Sequence, residues 1–291
     1  MKSIGIDIGG TQLRVGIFDE DKKMIDRFKT DNDRNLTAEQ NVDKLLEFIE
    51  GKGYEYSGIG IGCPGPLDAK KGKIFNPPNL AAEWDNFEIV DYVQKKTGLK
   101  TVLNNDANVA GLAEAILGAG AGLESVFFVG ISTGIGGAYV YQNKLVNGAN
   151  SNAAEIWNMI VSEDEYYHKG ANAGALNEQA SGSALERIAS ERFGREMKPK
   201  ELFELYYEGD KTAEEIIERA SDIMAKGLAN ISWMIDPDMI IIGGSVALFN
   251  AKFVEKIIEK AKKYILFPEK LRVEMAEFGD DAGLMGAALL V

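Results

Sequence analysis

The chain has 291 residues, 45% of them hydrophobic and 26% charged, an ordinary globular composition at a length that suits two domains or one large α/β unit. Its formal net charge of −13 argues against nucleic acid and anionic membrane surfaces as partners, and no stretch reaches the roughly 18 apolar residues of a membrane span. One cysteine, Cys63, and one histidine, His168, rule out an intrachain disulfide and a cysteine/histidine zinc site, which needs about four such ligands.

The first ten residues carry Asp7 and a glycine pair, where a signal peptide would carry an apolar stretch and a small-residue cleavage site. A cytoplasmic protein is therefore expected. Residues 3–8 and 13–18 read as strands around the turn Gly9-Gly10-Thr11, a hairpin that residues 24–29 extend. Thr37 with Gln40 forms a capping box, and Val42, Leu45, Leu46 and Ile49 share one face of the helix that follows, with Gly51 its stop. A strand over 59–62 runs into the rigid loop Pro64-Gly65-Pro66. A helix over 87–96 closes at Gly98, and a strand over 101–103 ends in Asn104-Asn105-Asp106 before a helix over 107–117. Residues 126–131 read as a buried central strand, Gly134 to Gly137 as a turn, and 138–141 as the return strand. The remainder is mostly helical. Thr212 and Glu215 suggest a second capping box ahead of a long amphipathic helix reaching Trp233. A buried strand over 239–242 ends in Gly243-Gly244, and small residues over 282–290 predict a final helix.

One pattern occurs twice. Asp7-Ile8-Gly9-Gly10-Thr11 with its return strand has a counterpart in Ile131-Ser132-Thr133-Gly134-Ile135-Gly136-Gly137 with 138–141. Two related domains facing each other across a cleft are expected, 1–112 and 113–291, with the tail helix packing back on the first. Glycine turns let backbone N–H groups approach a phosphate, and Thr11 and Thr133 add hydroxyl donors. A chain this acidic needs such local dipoles and a cation to accept a polyanion. Asp7, beside the first turn, is placed to hold Mg²⁺ through water. Asp106 stands where a strand gives way to a helix, the mouth of a crevice in α/β folds. There it can act as a general base or as a plain helix cap. Gly60-Ile61-Gly62-Cys63-Pro64-Gly65 matches a dinucleotide fingerprint literally, but Pro66 and Leu67 follow where a helix must open, and no P-loop motif is present. A Ser-His-Asp triad would have to use His168, in a polar stretch.

Asp7-Ile8-Gly9-Gly10-Thr11, the Gly65-Pro66 loop, Asn105-Asp106-Ala107-Asn108, Gly134-Ile135-Gly136-Gly137 and Ile242-Gly243-Gly244 resemble, in order and spacing and over essentially the whole chain, the ROK family of repressors and sugar kinases. The resemblance implies a duplicated ribonuclease-H-like (actin/hexokinase-like) two-domain α/β fold. With no helix-turn-helix ahead of Asp7, it implies the kinase branch and a homodimer. It assigns Asp106 as the base for a sugar hydroxyl, usually O6. Gly65, Pro66, Asn79 and Asn105 are assigned to the sugar, and Asp7, Gly9, Gly10, Thr11, Gln12, Thr133, Gly134 and Gly136 to the phosphates and Mg²⁺ of ATP. Gly243 and Gly244 fall near the adenosine.

The departures bear on the substrate. The family's Glu-x-Gly-His signature reads Glu155-Ile156-Trp157-Asn158, and residues 163–175 replace the cysteine-rich zinc loop, leading into Leu176-Asn177-Glu178. No zinc is expected. Glu155 and Asn158 are expected on the sugar, with either Asn177 or Glu178 beside them. This pattern is most similar to β-glucoside kinases, with N-acetylmannosamine, glucose and fructose as alternative substrates. Trp157 either stacks on a second sugar ring or fills the volume of the missing loop. Two readings compete with a sugar kinase: a silent sugar or nucleotide sensor, and an actin-like ATPase. Retention of Asp7 and Asp106 argues against the first, and the sugar-side residues argue against the second.

Overall fold

A computed structural model describes residues 1–77, 79–168 and 170–291. It divides into two units, Met1–Gly118 with Asn143–Ala153 and Asp280–Val291, and Ala119–Gln142 with Ala154–Gly279.

The first unit is built on a five-stranded sheet in the order β3–β2–β1–β4–β7. β1 (Lys2–Ile8), β2 (Gln12–Phe18) and β3 (Met24–Asp31) are antiparallel neighbours, while β4 (Tyr56–Cys63) and β7 (Thr101–Asn105) run parallel to β1. A small ribbon of β5 (Leu67–Asp68) and β6 (Lys73–Ile74) follows β4. β1 is buried from Ser3 onward because both sheet faces are covered. Ile4, Ile6 and Ile8 pack with Val42, Leu45 and Ile49 of α1 (Ala38–Glu50), which starts at the expected Thr37–Gln40 capping box. The opposite face carries α10 (Ala282–Ala288), which also packs against α3 (Asp106–Ile116). Glycines allow that contact. A Cβ on Gly60 would lie 1.7 Å from Ala287 O, and one on Gly286 would lie 1.6 Å from Val109 O. The unit reaches Gly118, beyond the expected end at 112, because α3 is continuous and its buried Val109, Leu112 and Ala113 cannot be parted. α2 (Ile89–Thr97) closes at Gly98 in the left-handed region, φ 70°. The short β10 (Lys144–Leu145) lies in the returning segment 143–153.

In the second unit β9 (Ile135–Tyr141), β8 (Ser125–Ile131), β11 (Met239–Gly243) and β12 (Val273–Met275) lie side by side. β8 and β9 are antiparallel, and β11 and β12 run parallel to β8. Strands β2–β1–β4–β7 of the first unit have the same order and directions, so the chain has the duplicated actin/hexokinase-like two-domain α/β fold. Val129 and Ile131 pack with Ile217, Met224 and Leu228 of α7 (Lys211–Ile235) and Phe253 and Ile257 of α9 (Ala251–Ala261). Between β9 and β11 come α4 (Leu176–Ala180), α5 (Gly182–Phe193) and α6 (Pro199–Glu208), and α8 (Ser245–Leu248) follows β11. The second capping box is not formed. Gly209 ends α6 in the left-handed region, which leaves Asp210 as the link residue, and its side chain accepts the Ala213 N–H at 2.9 Å. Thr212 lies inside the helix. Among the described residues no helix is long and apolar enough to cross a membrane.

Candidate active site

In the first unit the β1/β2 register pairs Ile8 with Leu13 and leaves residues 9–12 as a tight turn, closed by Gly9 N–H to Gln12 O at 2.9 Å. Buried Asn32 fastens it from the end of β3: its side chain donates to Gly9 O at 2.8 Å and its N–H to Thr11 O at 2.9 Å. Thr11 and Gln12 are exposed at the tip. A Cβ on Gly10 would meet Asn79 O at 2.5 Å. The backbone at Asn79 therefore passes against this turn, although the resemblance grouped Asn79 with the sugar loop.

The same register sets Asp7 opposite Arg14. Arg14 Nε donates to Asp7 Oδ2 at 2.9 Å, Nη2 donates to the same oxygen, and Nη1 donates to Asp280 O at 3.0 Å. Asp7 is buried and its charge is balanced within the hairpin.

The loop after β4 lies beside the start of α3. The Gly65-Pro66 bond is cis, and a Cβ on Gly65 would lie 3.2 Å from Asn105 Nδ2. Asn105, not Asp106, caps α3, accepting the Ala107 N–H on Oδ1 at 2.9 Å. Its Nδ2 is thereby directed to the loop side. Asp106 is the first helical residue, and its Oδ1 accepts the same N–H at 2.7 Å. Solvent reaches its side chain, yet desolvation by the surrounding protein raises its carboxyl above the ordinary range, and the Asp7 charge adds to this against the Ala107 hydrogen bond. Asn104 braces the pair. Its Oδ1 accepts from Asn105 N–H and from Asn108 Nδ2, each at 2.9 Å, and its Nδ2 donates to Asn147 Oδ1 at 3.0 Å. Cys63 is fully buried, and burial first, then the charges of Asp106 and Asp7, push its thiol up, so it is no nucleophile.

In the second unit the β8/β9 turn is closed by Ser132 N–H to Gly134 O at 2.8 Å, with Thr133 and Gly134 exposed. The first residues of α5 engage its carbonyls, Gly182 N–H to Ser132 O at 2.8 Å and Ser183 N–H to Thr133 O at 3.0 Å. Asn177 Oδ1 accepts the Ile135 N–H at 2.9 Å, and Asn177 Nδ2 donates to Glu178 Oε1 at 2.9 Å. Asn177 thus ties α4 to the turn that carries Gly134 and Gly136. Gly243-Gly244 reaches the same place. Gly244 has φ 85°, a Cβ there would meet Ile131 O at 2.4 Å, and the hydroxyls of Ser245 and Ser132 are 3.0 Å apart. Glu155 precedes a 3₁₀ turn, Ile156–Asn158. Asn158 Oδ1 accepts the Asn172 N–H at 2.6 Å. Trp157 is half-buried and stands outside the hydrophobic core of the unit. Among the described residues no group of three or more His, Cys, Asp or Glu is placed to hold a metal ion.

Sequence reasoning missed four residues that shape these turns. Arg14 was detectable, since a turn over 9–12 pairs it with Asp7. Asn32 and Asn147 carried no such signal, because each acts through a chain crossing that only the fold supplies, and Asn104 shares that crossing through its bond to Asn147.

Known proteins resemble this chain over essentially its whole length. The ROK family profile matches residues 3–291. The crystal structure of a ROK hexokinase from Thermus thermophilus is 34% identical, with a TM-score of 0.93 over 99% of this chain and 97% of that one. A ROK family glucokinase from Streptomyces griseus, solved in complex with glucose and AMPPNP, is 30% identical, with a TM-score of 0.81 over 100% and 99% of the two chains. A glucokinase from Thermotoga maritima is 29% identical over 311 residues, covering 100% of this chain and 97% of that protein. The chain belongs to the ROK family.

Proposed function

We propose that this protein is an ATP-dependent sugar kinase that phosphorylates a hydroxyl of a hexose or β-glucoside, at O6, with Asp106 as the base. The observation that carries the reading is Asp106 itself. Its fold role is taken by Asn105, solvent reaches it, and its surroundings raise its affinity for a proton. A carboxylate with these properties suits acceptance of a hydroxyl proton. The kinase class is also that of the hexokinase and glucokinases this chain resembles.

The residues fit a bound nucleotide. Both hairpin turns are braced from behind, by Asn32 in one and by Asn177 and α5 in the other. They present exposed Thr11 and Thr133 at their tips, and Gly243-Gly244 packs against the second turn. Arg14 already occupies Asp7 Oδ2, which suits Asp7 to an outer contact with Mg²⁺ through water more than to a direct bond. Bound Mg²⁺-ATP supplies the phosphoryl group and the charge that neutralises it. Asp106 takes the proton of the attacking hydroxyl as its oxygen bonds to the γ-phosphorus and the bond from that phosphorus to ADP breaks, ADP leaving, and it releases the proton to solvent afterwards. Each unit has its own proposed sugar groups: Asn105 Nδ2 and the Gly65 loop in the first, Glu155, Asn158 and Glu178 in the second. No zinc enters this scheme, and a homodimer is part of it.

Trp157, an aromatic side chain outside the core, favours a substrate with a second ring at the anomeric end. ADP release with Mg-ATP over glucose, mannose, fructose, N-acetylmannosamine, N-acetylglucosamine and cellobiose, against a no-sugar control, tests the proposal. Stimulation by one sugar supports it. Background rates with all six refute it for this panel, and high release without sugar points to an ATPase. Trp157→Ala should raise KM for cellobiose and leave that for glucose unchanged if the ring stacks.

A further inference from the structure

The segment between the 3₁₀ turn and α4 is held in an unusual way. At its base Val161 N–H donates to Gly174 O at 3.0 Å and Leu176 N–H to Met159 O at 2.8 Å, around the bridge Ile160–Ala175. Beyond that base, side chains from α5 and α7 take over. Arg219 of α7 donates through Nη2 to Asp164 Oδ2 at 3.1 Å and to Gln179 Oε1, and through Nη1 to Gln179 O at 3.4 Å. Arg187 of α5 lies over the Tyr166 ring, 3.6 Å from its centroid, and donates through Nη2 to Glu178 O at 2.9 Å. Asp164 in turn accepts the Tyr166 N–H at 2.9 Å. That hydrogen bond first, then Gln179 and the two guanidinium charges, hold its carboxyl below the usual range.

α4 needs this support. It has five residues, too few to satisfy its own terminal carbonyls or to be stable alone. Both arginines cap those carbonyls, at Glu178 and Gln179. Asn177 and Glu178 stand in the same turn, and Asn158 is bonded to Asn172 in the clamped segment.

We propose that Arg187 and Arg219 are positioning residues that hold α4 and the 159–175 segment so that Asn158 and Glu178 meet the sugar in a fixed geometry. The arginines do here with two planar forks what a bound ion would do from one centre. A guanidinium suits the task because one group must reach a carboxylate, an amide oxygen and a carbonyl together. The effect on the sugar rests on the function proposed above, whereas the clamp does not.

The test uses the full-length protein and Arg219→Gln, Arg187→Gln and Arg219→Lys. Each glutamine variant should raise KM for the active sugar about tenfold, the loss of one charge-assisted contact, with a smaller rise in KM for ATP, because Asn177 of α4 also braces the second turn, and with the melting temperature nearly unmoved. Arg219→Lys should restore only part of the effect. Hydrogen exchange over residues 159–180 should accelerate in both glutamine variants whether or not a substrate is known. Unchanged exchange overturns the clamp. Faster exchange with an unchanged sugar KM overturns the positioning role. Equal rises in both KM values would mark general unfolding and also overturn it. If 1,10-phenanthroline loosens this segment in the unmodified protein, a metal does the holding and the proposal fails. A wild type without sugar-dependent ADP release refutes the kinase reading instead, and leaves the clamp to be judged by exchange.

Discussion

Exchanging Asp106 for asparagine separates proton transfer from the fold. Asn105 caps α3, and an asparagine Oδ1 at 106 can still accept the Ala107 N–H that the carboxylate accepts at 2.7 Å. The native environment raises the carboxyl's pKa, so folding disfavours its ionised form. The wild type therefore loses stability as pH climbs from the unfolded pKa, about 3.9, through the folded one, and the neutral amide does not. Asp106→Asn should melt at the wild-type temperature or slightly above it near pH 8, and the difference should shrink as pH falls toward 4. Turnover should fall by about 10²–10⁴, the usual contribution of a positioned base, with KM for the sugar within a few-fold. Coupled ADP-release kinetics under sugar saturation, with melting curves at two pH values, measure both. A fall in kcat of less than about tenfold, or a matching loss of melting temperature, would refute the assignment of Asp106 as the base.

Asp7→Asn removes a charge that raises the Asp106 pKa, so the acid limb of the kcat/KM profile should move to lower pH; a limb that stays or moves upward contradicts the coupling. Gly286→Ala places a methyl 1.6 Å from Val109 O, and because that neighbour is backbone the clash should outweigh the roughly 1 kcal/mol of helix propensity gained; calorimetry should show a lower melting temperature. Asp210→Ala should cost about 1 kcal/mol through loss of the α7 cap, while Thr212→Ala should fall within about 0.5 kcal/mol of wild type; the reverse order in denaturant melts would restore the expected capping box.

The strands and glycine turns were legible because they are written locally. Alternating isoleucines in β1, an uninterrupted apolar β8 and turns of glycine beside threonine leave few choices, and their recurrence revealed the duplication. The candidate base was legible for the same reason, as a carboxylate between a strand and a helix. What the sequence hid depends on chain crossings. Asn147 braces Asn104 only because residues 143–153 return to the first unit. Arg187 and Arg219 look like ordinary surface charges on amphipathic helices until α4 is set between them. The cap of α7 was misread for a smaller reason: Thr212 with Glu215 fits the motif, but Asp210 stands two residues earlier, directly after the glycine that ends α6.

The placement of α10 bears on how the protein is made. β1, β4 and α3 are translated first, yet the helix that covers them comes from residues 282–288. During synthesis at about 5–20 residues per second, the glycine-lined face of that sheet waits, open to water and to other nascent chains, while the whole second unit is produced. The units are compact, but the earlier one is completed last. A ribosome that stalls before residue 282 would leave a well-formed second unit tethered to an unfinished first.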